Sequence, residues 1–120
     1  MKRILVVEDQ GDLRAILRDF LTASGYHIIE AVDGVEGVDK ARSEHPDLVL
    51  MDIQLPVLDG YDATRQIKAL PDHAATPIIA VSSFAMKGDE EKARASGCDG
   101  YVTKPYSPVQ LLQIIQGYLG

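Results

Sequence analysis

A mostly parallel α/β sheet with helices on both faces is predicted by three features of this 120-residue chain. Five short apolar runs recur, at residues 4–7, 27–31, 48–51, 78–81 and 101–103. Helical patterns fill the gaps between them. The runs lack polar alternation, as in "LVLM" at 48–51, which marks strands buried on both faces rather than one. Strand and helix alternating five times make a (βα)5 unit over residues 1–120, with no internal linker, low-complexity tract or second domain.

Each element has its own local reason. The first strand begins after Met1-Lys2-Arg3 and ends before Glu8-Asp9. Leu13, Ile16, Leu17, Phe20 and Leu21 then follow the i, i+3, i+4, i+7, i+8 template of one helix face, and Gly25 just past Ser24 suits its stop. A second helix is expected over about 35–43. The third strand leads into Asp52, after which Leu55-Pro56 and Asp59-Gly60 supply turn chemistry before a helix over about 61–70. The segment "MKGDEEKARASG" carries one large apolar residue, Met86, and a glycine at 88, and predicts a helix over about 87–95. So little apolar area anchors it weakly, and it reads either as a solvated surface helix or as a segment that shifts. The last helix opens with Ser107 as N-cap and Pro108 in the first turn, followed by Val109, Leu112, Ile115 and Leu119.

Composition narrows the function. The net charge is −6 with scattered basic residues, which argues against a nucleic-acid surface. No apolar stretch approaches the roughly 20 residues that span a bilayer, and the start is not a signal peptide. The single cysteine, Cys98, cannot form an internal disulfide and reads as a small buried thiol, so a reducing, cytoplasmic setting is expected. His27, His45 and His73 stand apart in sequence, none at metal-ligand spacing.

Chemistry gathers where the strands end. In a parallel sheet, ligands bind beyond the carboxyl ends of the strands. Here the first run ends on Glu8-Asp9, the third on Asp52, the fourth on Ser82-Ser83 and the fifth on Lys104-Pro105. Two carboxylates about 4 Å apart repel by roughly 4 kcal/mol at an effective dielectric of 20, so three together call for a cation. Hard oxygen donors suit Mg²⁺, with Mn²⁺ as a substitute, and a hydroxyl and an ammonium would hold phosphoryl oxygens. Asp52 is then a candidate nucleophile.

The motifs "ILVVEDQ", "LVLMDIQLPVLDG", "PIIAVSSFA" and "GYVTKP" together resemble the receiver domains of two-component response regulators along essentially the whole chain. That resemblance implies a flavodoxin-like, doubly wound sheet of strand order 2-1-3-4-5. It implies Asp52 as phosphoacceptor, Glu8 and Asp9 as the acidic pair, and Asp9, Asp52 and the Gln54 backbone carbonyl around Mg²⁺. It further implies Ser82 as switch hydroxyl, Lys104 as phosphate-binding lysine, Tyr101 as the aromatic that changes rotamer, and Pro105 as a cis-peptide candidate. Base rates alone would make that last bond trans. Gln54, Ser83 and Phe84 fall where the family tunes phosphate lifetime, and a bulky Phe84 would shield the phosphate from water. The donor implied is a sensor histidine kinase or histidine phosphotransfer protein, and the output is a downstream protein contact made by the fourth helix, fifth strand and fifth helix.

With the last helix running to the end of the chain and Met1 leading directly into the first strand, a stand-alone bacterial regulator is expected, ahead of a piece of a hybrid kinase or multidomain regulator. Apolar residues on the first helix and on the fourth-to-fifth face fit either homodimerisation or ordinary packing. Of the enzyme alternatives, an aspartate-nucleophile phosphatase wants a second carboxylate where Gln54 stands. A dinucleotide enzyme wants G-x-G-x-x-G where the chain reads "EDQGDL". A purely structural module would have no use for Asp52, Ser82 and Lys104 together.

Overall fold

The computed structural model describes residues 1–83 and 87–120, with Lys87 described by its backbone. Ten elements alternate strictly: β1 (Arg3–Val7), α1 (Gly11–Ala23), β2 (His27–Ala31), α2 (Gly34–Glu44), β3 (Leu48–Asp52), α3 (Gly60–Lys68), β4 (Ile78–Ser82), α4 (Lys87–Ser96), β5 (Gly100–Thr103) and α5 (Pro108–Leu119). The strands pair in parallel in the order β2-β1-β3-β4-β5. Val7 lies opposite both Ala31 and Met51, Asp52 opposite Val81, and Ser82 opposite Thr103. That register brings the carboxyl ends of β1, β3, β4 and β5 to one rim.

Alternation along each strand builds two cores. Ile4, Val6, Leu48, Leu50 and Ile79 face α1 and α5, where Leu17, Leu21, Leu111 and Ile115 meet them. Leu5, Val7, Val49, Met51, Ile78 and Ala80 face the other side, against Val38, Ala41, Ala63, Ile67 and Ala93 from α2, α3 and α4. Burying each large aliphatic side chain contributes about 1.5–3 kcal/mol, so the central strands are the best anchored part of the molecule. They are the strands that carry the acidic residues.

Helix ends follow their caps. Asp33, Asp59 and Ser107 each accept a hydrogen bond from the backbone N–H three residues on. After α1 the chain turns through Gly25 at φ +98°, a conformation that glycine adopts without a Cβ penalty. β3 and β4 each run one residue further than the apolar runs predict, onto Asp52 and Ser82. Both side chains are polar although buried, so the apolar run stops short of them, while the ladder continues wherever backbone partners are available, as Ile53 N–H donating to Val81 (3.0 Å) and Lys104 N–H to Ser82 (2.7 Å) demonstrate. On α4, Ala93 is the buried apolar side chain, in keeping with the weak anchorage expected. Met86 and Phe84 lie outside the described residues.

Two of the histidines that stand apart in sequence meet in space. His45 and His73, far apart in the chain, stack with ring centroids 5.6 Å apart at the opposite edge of the sheet, before β3 and β4. His73 is buried and its Nδ1 lies 2.8 Å from Thr76 Oγ1. Among the described residues no third metal-type ligand joins the pair. Cys98 is a buried thiol whose pKa is raised, chiefly by burial. No described helix is long and apolar enough to cross a membrane.

The loop between β3 and α3 folds back on itself. Gly60 N–H donates to Ile53 (3.0 Å), and Leu58 N–H donates to Pro56 (2.8 Å) across Val57, which sits at φ 69° with 86% of its surface exposed. A Cβ on Gly60 would stand 2.4 Å from the Asp52 carbonyl oxygen and 2.5 Å from Ile53 Cα. Backbone cannot retreat as a flexible side chain can, so Gly60→Ala should cost about 1–3 kcal/mol. Urea unfolding checks this; an unchanged midpoint would show that the loop does not press on Asp52.

Candidate functional site

At the carboxyl rim, Glu8 follows β1 and Asp52 closes β3, only 3% and 4% exposed, while Asp9 faces solvent. The three residues each offer a carboxylate oxygen, all within 4.8 Å of one another. Two buried carboxylates this close would not both stay ionised without compensation. The compensation is Lys104, delivered by the end of β5. Its ammonium lies 3.1 Å from Glu8 Oε1 and 3.3 Å from Asp52 Oδ2, with its side chain 17% exposed. The remaining acceptors take backbone donors: Gln10 N–H to Glu8 Oε2 (3.2 Å) and Gln54 N–H to Asp52 Oδ1 (3.0 Å).

These neighbours leave a mark on protonation. The Glu8 carboxyl is raised above its usual range, first by burial and then by Asp52, with Gln10 N–H and Lys104 opposing. For Lys104, burial is the largest influence and lowers its pKa. The combined charge and hydrogen bonds of Asp52 and Glu8 outweigh it, so the net direction is upward. A lysine raised in this way contributes stability that is complete below its ordinary pKa and is lost as pH rises through the folded value.

The other sequence-predicted residues sort by position. Gln54 is exposed and its side-chain Oε1 accepts from Ser83 N–H (3.0 Å), tying the β3–α3 loop to the end of β4. Ser82 is fully buried at the tip of β4. Tyr101, half-buried on β5, packs against the core on the α2–α4 side, the face that strand alternation also gives to Ser82. Asp52, Glu8 and Lys104 belong by the same alternation to the α1–α5 side. The Lys104-Pro105 peptide is cis. Phe84 lies outside the described residues.

Several contributors have no sequence signal of their own. Arg14 Nη1, from α1, donates to the Glu8 carbonyl (2.8 Å) while its Nε reaches Glu30 (3.3 Å), fixing the turn that carries Glu8 and Asp9. Gln10 acts through its backbone, which any residue but proline could supply. Tyr106 places a buried hydroxyl beneath the carboxylates.

Mg²⁺ fits this donor set. Three hard carboxylate oxygens converge, one from a solvent-facing residue with access to water, as a small octahedral cation requires. A carboxylate nucleophile, a cation site and a lysine within reach of one point are the parts of a phosphoryl-accepting centre.

Comparison with known proteins agrees. Residues 4–116 match the model of the response regulator receiver domain. The polar-differentiation response regulator DivK of Brucella ovis is 44% identical over 119 residues, 99% of this chain and 97% of that protein. Among solved structures, the receiver domain of sensor histidine kinase PA1611 from Pseudomonas aeruginosa, which has a magnesium ion coordinated in its active-site cleft, superposes with a TM-score of 0.92 at 37% identity, covering 99% of this chain and 98% of that one. Chemotaxis protein CheY4 of Vibrio cholerae gives 0.94 at 26% identity, covering 98% of each chain. The fold and site define a phosphoacceptor module, not a dedicated turnover enzyme. The chain belongs to the response regulator receiver domain family.

Removing Lys104 should leave the two buried carboxylates uncompensated. Lys104→Ala is expected to lose about 3 kcal/mol at pH 7. Because Glu8 is already raised and would rise further, the deficit should shrink as pH falls and Glu8 takes up a proton. Urea unfolding at pH 7 and pH 5 measures both values; equal deficits would show that Lys104 does not compensate these carboxylates.

Proposed function

We propose that Asp52 accepts a phosphoryl group from a phosphohistidine on a sensor histidine kinase or histidine phosphotransfer protein, and that the phosphorylated form signals to a downstream protein. The observation that carries this reading is the Lys104 ammonium held against both Asp52 and Glu8, with Asp9 alongside. An Asp52 carboxylate oxygen attacks phosphorus, the P–N bond breaks, and the donor imidazole keeps the electron pair and is reprotonated. Asp9, Asp52 and the Gln54 carbonyl would hold Mg²⁺, with Glu8 behind them; bound there, the ion neutralises carboxylate and phosphoryl charge. Lys104 shifts from the carboxylates to the new phosphoryl oxygens.

The phosphorylated side chain carries close to two negative charges, enough to draw Ser82 inward and let Tyr101 turn, biasing the face of α4, β5 and α5. The scant apolar anchorage of α4 makes it the element that responds most readily. Beside the site, an apolar groove of about 460 Å³ runs between Leu13, Ile16 and Leu17 of α1 and Pro105, Tyr106 and Pro108, and suits a helical donor presenting its histidine to Asp52.

We read residues 1–120 as a single stand-alone receiver domain, supported by the near-complete mutual coverage with the Brucella regulator. A receiver unit of a hybrid kinase is the second reading, favoured by the 37% identity to the receiver of a sensor histidine kinase. With acetyl phosphate and Mg²⁺, intact-mass measurement should find one phosphoryl group per chain, absent in Asp52→Asn and suppressed by chelation. Labelling that survives Asp52→Asn, or turnover of exogenous phosphate esters, would overturn the proposal.

A further inference from the structure

We infer that Tyr106 is a further positioning residue of this centre: its hydroxyl donates to Glu8 when Lys104 leaves that carboxylate for a phosphoryl group on Asp52. The inference rests on the phosphoacceptor reading above. Tyr106 follows Pro105 and returns its ring to the core beneath α1 and α5. With Glu8, Asp52, Leu17, Leu50 and Val81 it lines a cavity of about 10 Å³ directly under the carboxylates.

Among the described residues three buried side-chain polar atoms lack a hydrogen-bond partner: Arg3 Nε, His73 Nε2 and Tyr106 Oη. The first two belong to the opposite edge of the sheet, where β1 begins and β4 is approached. Tyr106 Oη is the one beside the acidic cluster. Buried hydroxyls are ordinarily satisfied, because an unmade bond forfeits what water would have supplied. An unspent donor next to a buried carboxylate therefore calls for a state in which it is used.

The resting site identifies that state. Glu8 Oε1 is held by Lys104 and Oε2 by Gln10 N–H. When Lys104 turns to a phosphoryl group, Oε1 loses its hydrogen-bond donor in a setting only 3% exposed, and a cation beside the carboxylates balances charge without replacing that donor, so the unmade bond is costly. Tyr106 keeps its proton for the purpose, since burial, then Glu8 and Asp52, push its phenol up to about 12.

Tyr106→Phe tests this, with beryllium fluoride plus Mg²⁺ as phosphoryl mimic and the thermal midpoint as readout. In the resting protein the variant should melt at or above wild type, because no hydrogen bond is removed. The beryllium fluoride concentration that half-saturates the thermal shift should rise about tenfold, the worth of one hydrogen bond to a charged group. In a Glu8→Gln background, where the acceptor is no longer charged, Tyr106→Phe should change it far less. A resting midpoint that falls, a variant that does not fold, a mimic titration that coincides with wild type, or an equal effect in the Glu8→Gln background would each overturn the inference. If wild type itself gives no shift, the phosphoacceptor reading fails and this inference with it.

Discussion

The Lys104 ammonium, 3.1 Å from Glu8 and 3.3 Å from Asp52, is the interaction on which the site depends. It bridges residues from β1, β3 and β5 that are remote in sequence, and it is internal to the chain. Two carboxylates at 3–4% exposure can sit at the tips of the central strands because a cation reaching in from the end of β5 neutralises them. The requirement for a positive charge, which the acidic triad imposes by itself, is met by a side chain of the same chain. In the proposed function a phosphoryl group on Asp52 competes for that side chain.

The sheet explains why this compensation is available. Parallel pairing in the order β2-β1-β3-β4-β5 sets the ends of β1 and β3 side by side, with β4 and β5 next along the same rim. Alternation then divides the rim between its two faces. Tyr106 packs toward α1 and α5, whereas Tyr101 packs toward α2–α4. The Gln54–Ser83 hydrogen bond ties the loop after β3 to the end of β4.

Much of this architecture was legible in the residues. Burial on both faces turns the strands into continuous apolar runs, so all five were visible, and caps such as Ser107 marked a helix start without ambiguity. Strands that end on Asp52 and Ser82 read one residue short because a polar side chain breaks the apolar run even where it is buried, while the ladder follows backbone pairing. Strand order came from the motifs rather than from periodicity, which is blind to which strands adjoin. For the site, residue types at strand ends identified Glu8, Asp9, Asp52 and Lys104. Their pairing was not readable, since Lys104 could have met any of them. The His45–His73 stack, the Arg14 contact with the Glu8 carbonyl and the unspent Tyr106 hydroxyl arise from packing between distant segments and leave no local trace.

The central claim is that Glu8, Asp9, Asp52 and Lys104 form one electrostatic unit that takes up a divalent cation as a unit. The most direct measurement is a Mg²⁺ titration followed by carbon-13 carboxyl and lysine ammonium NMR signals. The carboxyl resonances of residues 8, 9 and 52 and the ammonium of Lys104 should move along a single saturation curve, while the remaining acidic residues stay still. Signals that titrate independently, or a response centred on other carboxylates, would contradict it.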